Sequence, residues 1–294
     1  MNHATPSTTT TTPTTPAHLL SLYGLKWNPF APGVPVEGLY CSPRLDAFGR
    51  RSEMYLRDGG FAMITGAPGL GKSWALRILD ARLSRMRDVV VRSIEHPQSG
   101  VSDFYRELGD LFGVSLTPRN RWGGFKAIRE KWQAHVEATL IRPVLIIDEA
   151  QEMPEAVLNE MRLLSSRDYD SRTLLYVILA GDARLREKLK SEGLLPLKSR
   201  IRTHVELEPA NPTELADVLR HLIAAAGNAQ LMTPVVITAL AEHAAGNYRT
   251  LTGMANDLLI AAAERDARQI DEKLFFEIFA LPQEQAPAQK AKRR

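Results

Sequence analysis

GAPGLGKS, residues 66–73, is the stretch whose meaning decides the fold. It fits the pattern G-x-x-x-x-G-K-[ST], directly after a short apolar run, FAMIT (61–65), and directly before KSWALRILDARLSRM (72–86), whose apolar residues recur at helical spacing. A strand, a glycine turn and a helix in that order gather the backbone N–H groups of the turn and the positive helix end around one point, where they cradle phosphate. Lys72 is placed to reach β- and γ-phosphates, and the Ser73 hydroxyl to ligate Mg²⁺. The expected ATP-binding surface is therefore Gly66, Ala67, Pro68, Gly69, Leu70, Gly71, Lys72, Ser73 and Trp74.

The other half of such a site is VLIIDE (144–149). Four apolar residues in a row read as a central parallel strand covered on both faces. Asp148 at its tip is placed to hold Mg²⁺ through water, and Glu149 to act as general base for the attacking water. Adjacent carboxylates closing a buried strand downstream of a phosphate loop point to Mg²⁺-dependent ATP hydrolysis.

Working outward, VVVRSI (89–94), LLYVILA (174–180) and HVEL (204–207) are further strand candidates. They alternate with amphipathic segments such as DFYRELGDLFG, FKAIREKWQAHVEATL and PEAVLNEMRLLSS. This alternation predicts an α/β domain with a mostly parallel five-stranded sheet flanked by helices. After Pro209 only helical patterns remain, with Pro212 and Pro234 where helices begin and Gly227 and Gly246 where they end. The expected division is a Thr/Pro tail (1–18), a nucleotide-binding α/β domain (19–208), a small all-α lid domain (209–282) and a basic tail (283–294).

Composition bounds the function classes. Of 294 residues, 44% are hydrophobic and 24% charged, a globular balance. Lys and Arg (37) nearly offset Asp and Glu (34), so the net charge of +3 permits a polyanionic partner without requiring one. Cys41 is the single cysteine, which excludes an intramolecular disulfide and a cysteine-based metal site. No run of 18 apolar residues is present, and MNHATPSTTTTTPTTPAH lacks the apolar segment of a signal peptide. A cytoplasmic protein without membrane association is expected.

Together with these two motifs, YGLKWNPF (23–30), LYCSPR (39–44), VILAGDARLREKL (177–189), LKSRIRTHVELEP (197–209) and AGNYRTL (245–251) carry a family resemblance. The chain resembles the AAA+ ATPases, and within them the ExeA-like group, which contains secretion ATPases and transposition regulators of the TniB/TnsC type. The resemblance implies a polar sensor at Asp182, although relatives usually carry an uncharged residue there, often Gln. The alternative for Asp182 is a cap on the helix ARLREKL. Arg249 falls where a sensor arginine reaches the nucleotide from the start of a helix. Arg200 falls where an arginine finger points at a neighbouring subunit's ATP. Arg202, two residues on, shares its face if the segment is extended, and is expected in support. A finger acting in trans implies a homo-oligomer, either a ring or a helical filament.

For the purpose of the ATP, the resemblance offers transposition control or secretion assembly. TPRNRWGGFK (117–126) reads as a flexible basic loop in which Arg119, Arg121 and Lys126 contact DNA phosphates. Trp122 is either exposed there or tucked into the core. Secretion proteins of the group carry a transmembrane helix and a peptidoglycan-binding region after the ATPase, and these 294 residues contain neither. A scaffold that binds ATP without turnover is disfavoured by the presence of Lys72, Asp148 and Glu149. The expectation is an oligomeric, ATP-dependent regulator of DNA transposition. It would bind double-stranded DNA of any sequence, with a transposase and a targeting protein as partners.

Overall fold

The computed structural model describes residues 15–114, 121–138, 141–167 and 172–279. In chain order its first half forms α1 (Pro16–Tyr23), α2 (Pro43–Tyr55), β1 (Gly60–Gly66), α3 (Lys72–Leu83), β2 (Val89–Ile94), α4 (Val101–Phe112), α5 (Arg121–Ala138) and β3 (Arg142–Ile147). Next come α6 (Glu155–Ser165), β4 (Tyr176–Gly181), α7 (Ala183–Lys188), α8 (Leu195–Lys198) and β5 (Ile201–Leu207). Four helices follow: α9 (Pro212–Ala225), α10 (Pro234–His243), α11 (Tyr248–Glu264) and α12 (Glu272–Phe279).

These five strands form one sheet in the order β2-β3-β4-β1-β5, with every neighbouring pair parallel, and two short segments, Ser166–Arg167 and Arg172–Thr173, pair antiparallel apart from it. β1 and β4 are buried along their whole length, which is why both read as unbroken apolar runs. Alternate residues serve opposite faces. Ala62, Ile64, Val144, Ile146 and Ile178 meet Leu45 and Phe48 of α2 and Leu76 and Leu79 of α3. Phe61, Met63, Leu145, Ile147 and Val177 meet Phe104 of α4, Ile128 and Trp132 of α5, and Met161 of α6. Arg82 ties the two helices of the first face together: Nε and Nη2 donate to Glu53 at 2.5 and 3.1 Å, and Nη1 donates to Asp46 at 2.7 Å. The Arg82 bond holds the Asp46 carboxyl below the usual carboxylate range.

The chain divides into two units. One comprises Leu39–Ala210 with Asn247–Arg249, and the other the described parts of Met1–Gly38, Asn211–Gly246 and Thr250–Arg294. This corrects the expected boundary at residue 19, because residues 24–38 form no strand that could join the sheet. Their polar groups are satisfied among the helices instead. Lys26 N–H donates to Ala226 O at 2.8 Å, Asn228 Nδ2 to Tyr23 O at 3.0 Å, and Asn28 Nδ2 to Asn256 Oδ1 at 2.9 Å.

Residues 15–18, expected within the Thr/Pro tail, belong to α1 and its cap, while residues 1–14 lie outside the described residues. Thr15 caps α1 by accepting from the His18 N–H at 3.3 Å, and Pro16 opens the helix. Asn211 and Thr233 cap α9 and α10 in the same way, ahead of Pro212 and Pro234.

A third correction concerns TPRNRWGGFK. Of that stretch, 117–120 lie outside the described residues, and Arg121–Lys126 open α5 as helix rather than loop. Gly123 and Gly124 oppose helix by about 1 kcal/mol each. Phe125, Ile128 and Trp132 supply a face that packs on the core cluster and overrides them.

Candidate nucleotide-binding site

In a parallel sheet the strand ends that share a direction share a rim, and the C-terminal rim is the customary ligand side. Here it carries residues 66–73 after β1, Asp148 and Glu149 after β3, and Asp182 after β4.

The loop 66–71 turns on Gly69 (φ +83°) and Gly71 (φ +90°), in the left-handed region that favours glycine. A Cβ on Gly69 would lie 2.3 Å from Asn247 Oδ1, so the loop is packed as well as bent. Asn247 Nδ2 donates to Pro68 O at 3.2 Å, and the Arg249 backbone N–H donates to Gly69 O at 3.2 Å. Lys72, only 7% exposed, donates from Nζ to Gly66 O at 2.9 Å and Ala67 O at 3.3 Å, which holds its charge over the loop. Gly71 offers α3 no side-chain cap, and the first N–H groups of a helix have no intrahelical acceptor. That combination suits an anion.

Across the rim, Ser73 Oγ donates to Asp148 Oδ2 at 3.1 Å, and Asp148 Oδ1 accepts from the Glu149 N–H at 2.9 Å. A hydroxyl and a carboxylate that converge beside the phosphate loop are hard oxygen donors, as Mg²⁺ requires. Ser73 and Asp148 are the residues that would hold it. Glu149 adopts φ +50°, a conformation that costs a non-glycine residue about 1–3 kcal/mol and clusters at functional sites. Its carboxylate accepts from Gln151 Nε2, and Gln151 Oε1 accepts from the Asp182 N–H at 3.3 Å. Gln151 is 4% exposed and joins two of the three rim segments. Sequence motifs point to neither Gln151 nor Asn247; the only available signal was their presence in VLIIDEAQ and AGNYRTL.

Trp74 lies edge-on to Tyr248, ring centroids 6.0 Å apart, and both line a pocket with Tyr40, Leu45, Leu70 and Leu207 beside Gly71. Flat apolar walls next to a phosphate loop could take a purine ring. Asp182 caps α7: its Oδ1 accepts from the Arg184 N–H at 2.8 Å, and its carboxylate also accepts from Arg184 Nε at 2.9 Å. Of the two alternatives for this residue, the structure places its side chain as the cap.

Arg200 and Arg202 have different partners. Arg200 follows α8, with its N–H donating to Leu197 O at 3.0 Å and Nη1 donating to Pro196 O at 2.8 Å. Phe61 pairs with Ile201 and Ala62 with Thr203, so Arg202 is the extra residue of a bulge. Its guanidinium lies 5.7 Å from the centre of the Tyr55 ring. The alternation behind the expected shared face belongs to a regular strand, whereas Arg200 precedes β5 and the register is irregular at Arg202. Both sit at the start of β5, whereas Leu207 at its end pairs with Gly66, so they lie roughly 16 Å along the strand from the phosphate loop. Among the DNA candidates, Arg119 lies outside the described residues, Arg121 is the first residue of α5, and Lys126 is exposed with Nζ 3.8 Å from Glu130.

The parallel sheet flanked by helices, with a phosphate loop between β1 and α3, defines a P-loop fold of the AAA type. Residues 55–189 match the family described as AAA domain. The chain is 28% identical over 253 residues to general secretion pathway protein A of Aeromonas hydrophila, covering 84% of this chain but 45% of that protein. The chain thus spans less than half the length of that relative. In fold it is similar to the ORC2 protein of Aeropyrum pernix solved in ADPNP–ADP complexes, with a TM-score of 0.65, 15% identity, and coverage of 85% of this chain and 70% of that one. It is similar also to Drosophila ORC solved bound to DNA, with a TM-score of 0.63, 16% identity, and coverage of 96% and 71%.

Proposed function

We propose that this protein is a Mg²⁺-dependent ATPase that assembles on double-stranded DNA and controls transposition, acting as an adaptor that recruits or activates a transposase. The observation that carries the ATPase part is the Ser73–Asp148 contact at 3.1 Å beside Lys72. In this proposal the N–H groups of 66–74 and the Lys72 ammonium bind the phosphates, while Ser73 and Asp148 hold Mg²⁺, which when bound neutralises phosphate charge. Glu149 takes the proton of the attacking water, and Gln151 orients its carboxylate. Trp74, Tyr248 and Tyr40 enclose the base. Arg249, anchored through its own backbone at Gly69, brings a guanidinium to the nucleotide.

Arg200 serves a neighbour's nucleotide. Its position on the rim opposite the phosphate loop supports action in trans, since it cannot reach its own site without unravelling β5. Arg202 props the start of β5 against Tyr55. Hydrolysis then controls assembly, as a ring or filament, in the cytoplasm. DNA contacts by Arg119, Arg121 and Lys126 would be to phosphates, insensitive to sequence and weakened by salt. A fold neighbour solved on DNA supports that part.

The second reading is a secretion-assembly ATPase, favoured by the likeness to the Aeromonas secretion protein across 84% of this chain. Among the described residues no helix is long and apolar enough to cross a membrane. Gel shifts with duplex DNA of arbitrary sequence, with a slow ATP analogue or ADP, separate the two. The regulator binds with the analogue and much less with ADP. Absence of binding in every nucleotide state at low salt sinks it.

A further inference from the structure

The nucleotide site makes no use of the exposed side of α5. There Trp122 is 73% exposed. Trp122, Phe125, Lys126 and Arg129 fall at i, i+3, i+4 and i+7, which places them in one stripe along the helix. The indole is stacked on the Phe125 ring, centroids 5.8 Å apart and planes 7° from parallel. Arg129 Cζ lies 5.5 Å from the centre of the same ring. Phe125 itself packs against the core cluster under the sheet, so the stack is anchored. The Trp122 ring is thus held flat on one side and left to solvent on the other.

An apolar protein partner would require apolar surroundings, and among the described residues of the stripe Trp122 has few: Gly123 and Gly124 carry no side chain, and the stripe continues into Lys126 and Arg129. From 121 to 129 the sequence has three cations and no carboxylate. The 3.8 Å Lys126–Glu130 pair is exposed on both sides, and such pairs contribute little, so Lys126 turns easily toward a phosphate. An open aromatic face flanked by cations matches a nucleobase and its backbone.

We propose that Trp122 is a base-stacking residue: the open face of its indole takes an unpaired base of a DNA strand, with Lys126 meeting the adjacent phosphate. This rests on the DNA reading above and extends it, because phosphate contacts alone do not distinguish paired from unpaired bases. The assembly therefore favours DNA that contains unpaired bases over intact duplex.

The test measures the affinity of the full chain, with a slow ATP analogue, for an intact duplex and for the same duplex carrying a short mismatched bubble. Wild type binds the bubble about tenfold more tightly, in the range expected for one stacked base. Trp122→Ala removes that preference and keeps duplex affinity within about twofold; Trp122→Phe, with a smaller ring, keeps part of the preference. Tryptophan emission is quenched by the bubble in wild type and not in Trp122→Phe. Unfolding curves of both variants should overlay wild type, since the indole is exposed.

Equal affinity of wild type for both DNAs overturns stacking while leaving the DNA reading in place. Failure to bind either DNA in any nucleotide state removes the DNA reading and this proposal with it. Equal loss of both affinities in Trp122→Ala, or unchanged DNA binding with lost assembly by light scattering, also overturns it, the latter making Trp122 a protein contact.

Discussion

Gln151 couples Glu149 to the tip of β4: its Nε2 donates to the Glu149 carboxylate while its Oε1 accepts from the Asp182 N–H at 3.3 Å. Held at both ends and buried, the amide leaves that carboxylate few orientations. Gln151→Ala should lower turnover about tenfold at nearly unchanged ATP affinity, the effect of one hydrogen bond to a charged group. Gln151→Glu places two carboxylates together, so its loss at neutral pH should be larger and recover partly as pH falls and one of them takes a proton. Rate–pH profiles of the three proteins check this. Profiles of identical shape would leave Gln151 a packing residue.

Glu149 and Lys72 should separate chemistry from binding. Glu149→Gln keeps the shape of the side chain and removes its basicity, so hydrolysis should fall by about 10²–10⁴-fold while ATP binding persists. Lys72→Ala removes a buried cation held over the loop carbonyls, and nucleotide binding itself should weaken. Calorimetric titration with ATP alongside steady-state turnover distinguishes them. Equal loss of binding in both variants would place Glu149 in nucleotide binding rather than in the chemical step.

The two arginines before and within β5 should behave differently despite their spacing. Arg200→Ala should reduce hydrolysis by about 10³–10⁵-fold, as removal of a finger does, with ATP binding intact. Mixing it with Lys72→Ala protein should restore activity under the proposed action in trans, because the Lys72 variant would still offer Arg200 to a neighbour's intact site. Arg202→Ala loses the contact with Tyr55, about 0.5–1 kcal/mol of stability at an exposed position, with a smaller effect on turnover. No recovery on mixing would count against action in trans.

What the sequence made legible follows from where each signal is local. β1 and β3 declare themselves because a strand covered on both faces must be apolar throughout, and residues 66–73 because phosphate binding needs consecutive groups. β5 lies at the sheet edge with only alternate residues buried, so HVEL marks just its second half. The rest is long-range. Residues 24–38 join the helical unit through partners some 200 positions away, such as Ala226 and Asn256. The irregular register at Arg202 depends on how β5 pairs with β1, which no local pattern in the sequence reveals. Gln151 and Asn247 acquire their contacts only when separate rim segments come together. The helical start of α5 escaped because two glycines outweigh, locally, a face whose packing partners lie elsewhere in the chain.

His204 supplies a pH dependence whose sign is fixed by its surroundings. Its Nε2 shares a hydrogen bond with Thr65 Oγ1 at 2.8 Å, next to Gly66 at the start of the phosphate loop. Burial pushes its pKa below the ordinary 6.5, with Glu206 opposing and Arg186 assisting. Arg186 and Glu206 bond each other through two 2.8 Å contacts, so each moderates the other's effect on the imidazole. A folded-state pKa below the unfolded value means the unfolded chain takes up the proton first as pH drops. Stability contributed by neutral His204 should therefore be complete above about pH 6.5 and decline as pH falls from there through the depressed folded value. Denaturant unfolding at a series of pH values, in wild type and in His204→Gln, checks it. The variant should lack this decline near neutrality while sharing the later carboxylate-driven loss. Curves that stay parallel down to pH 5 would assign the transition to another group.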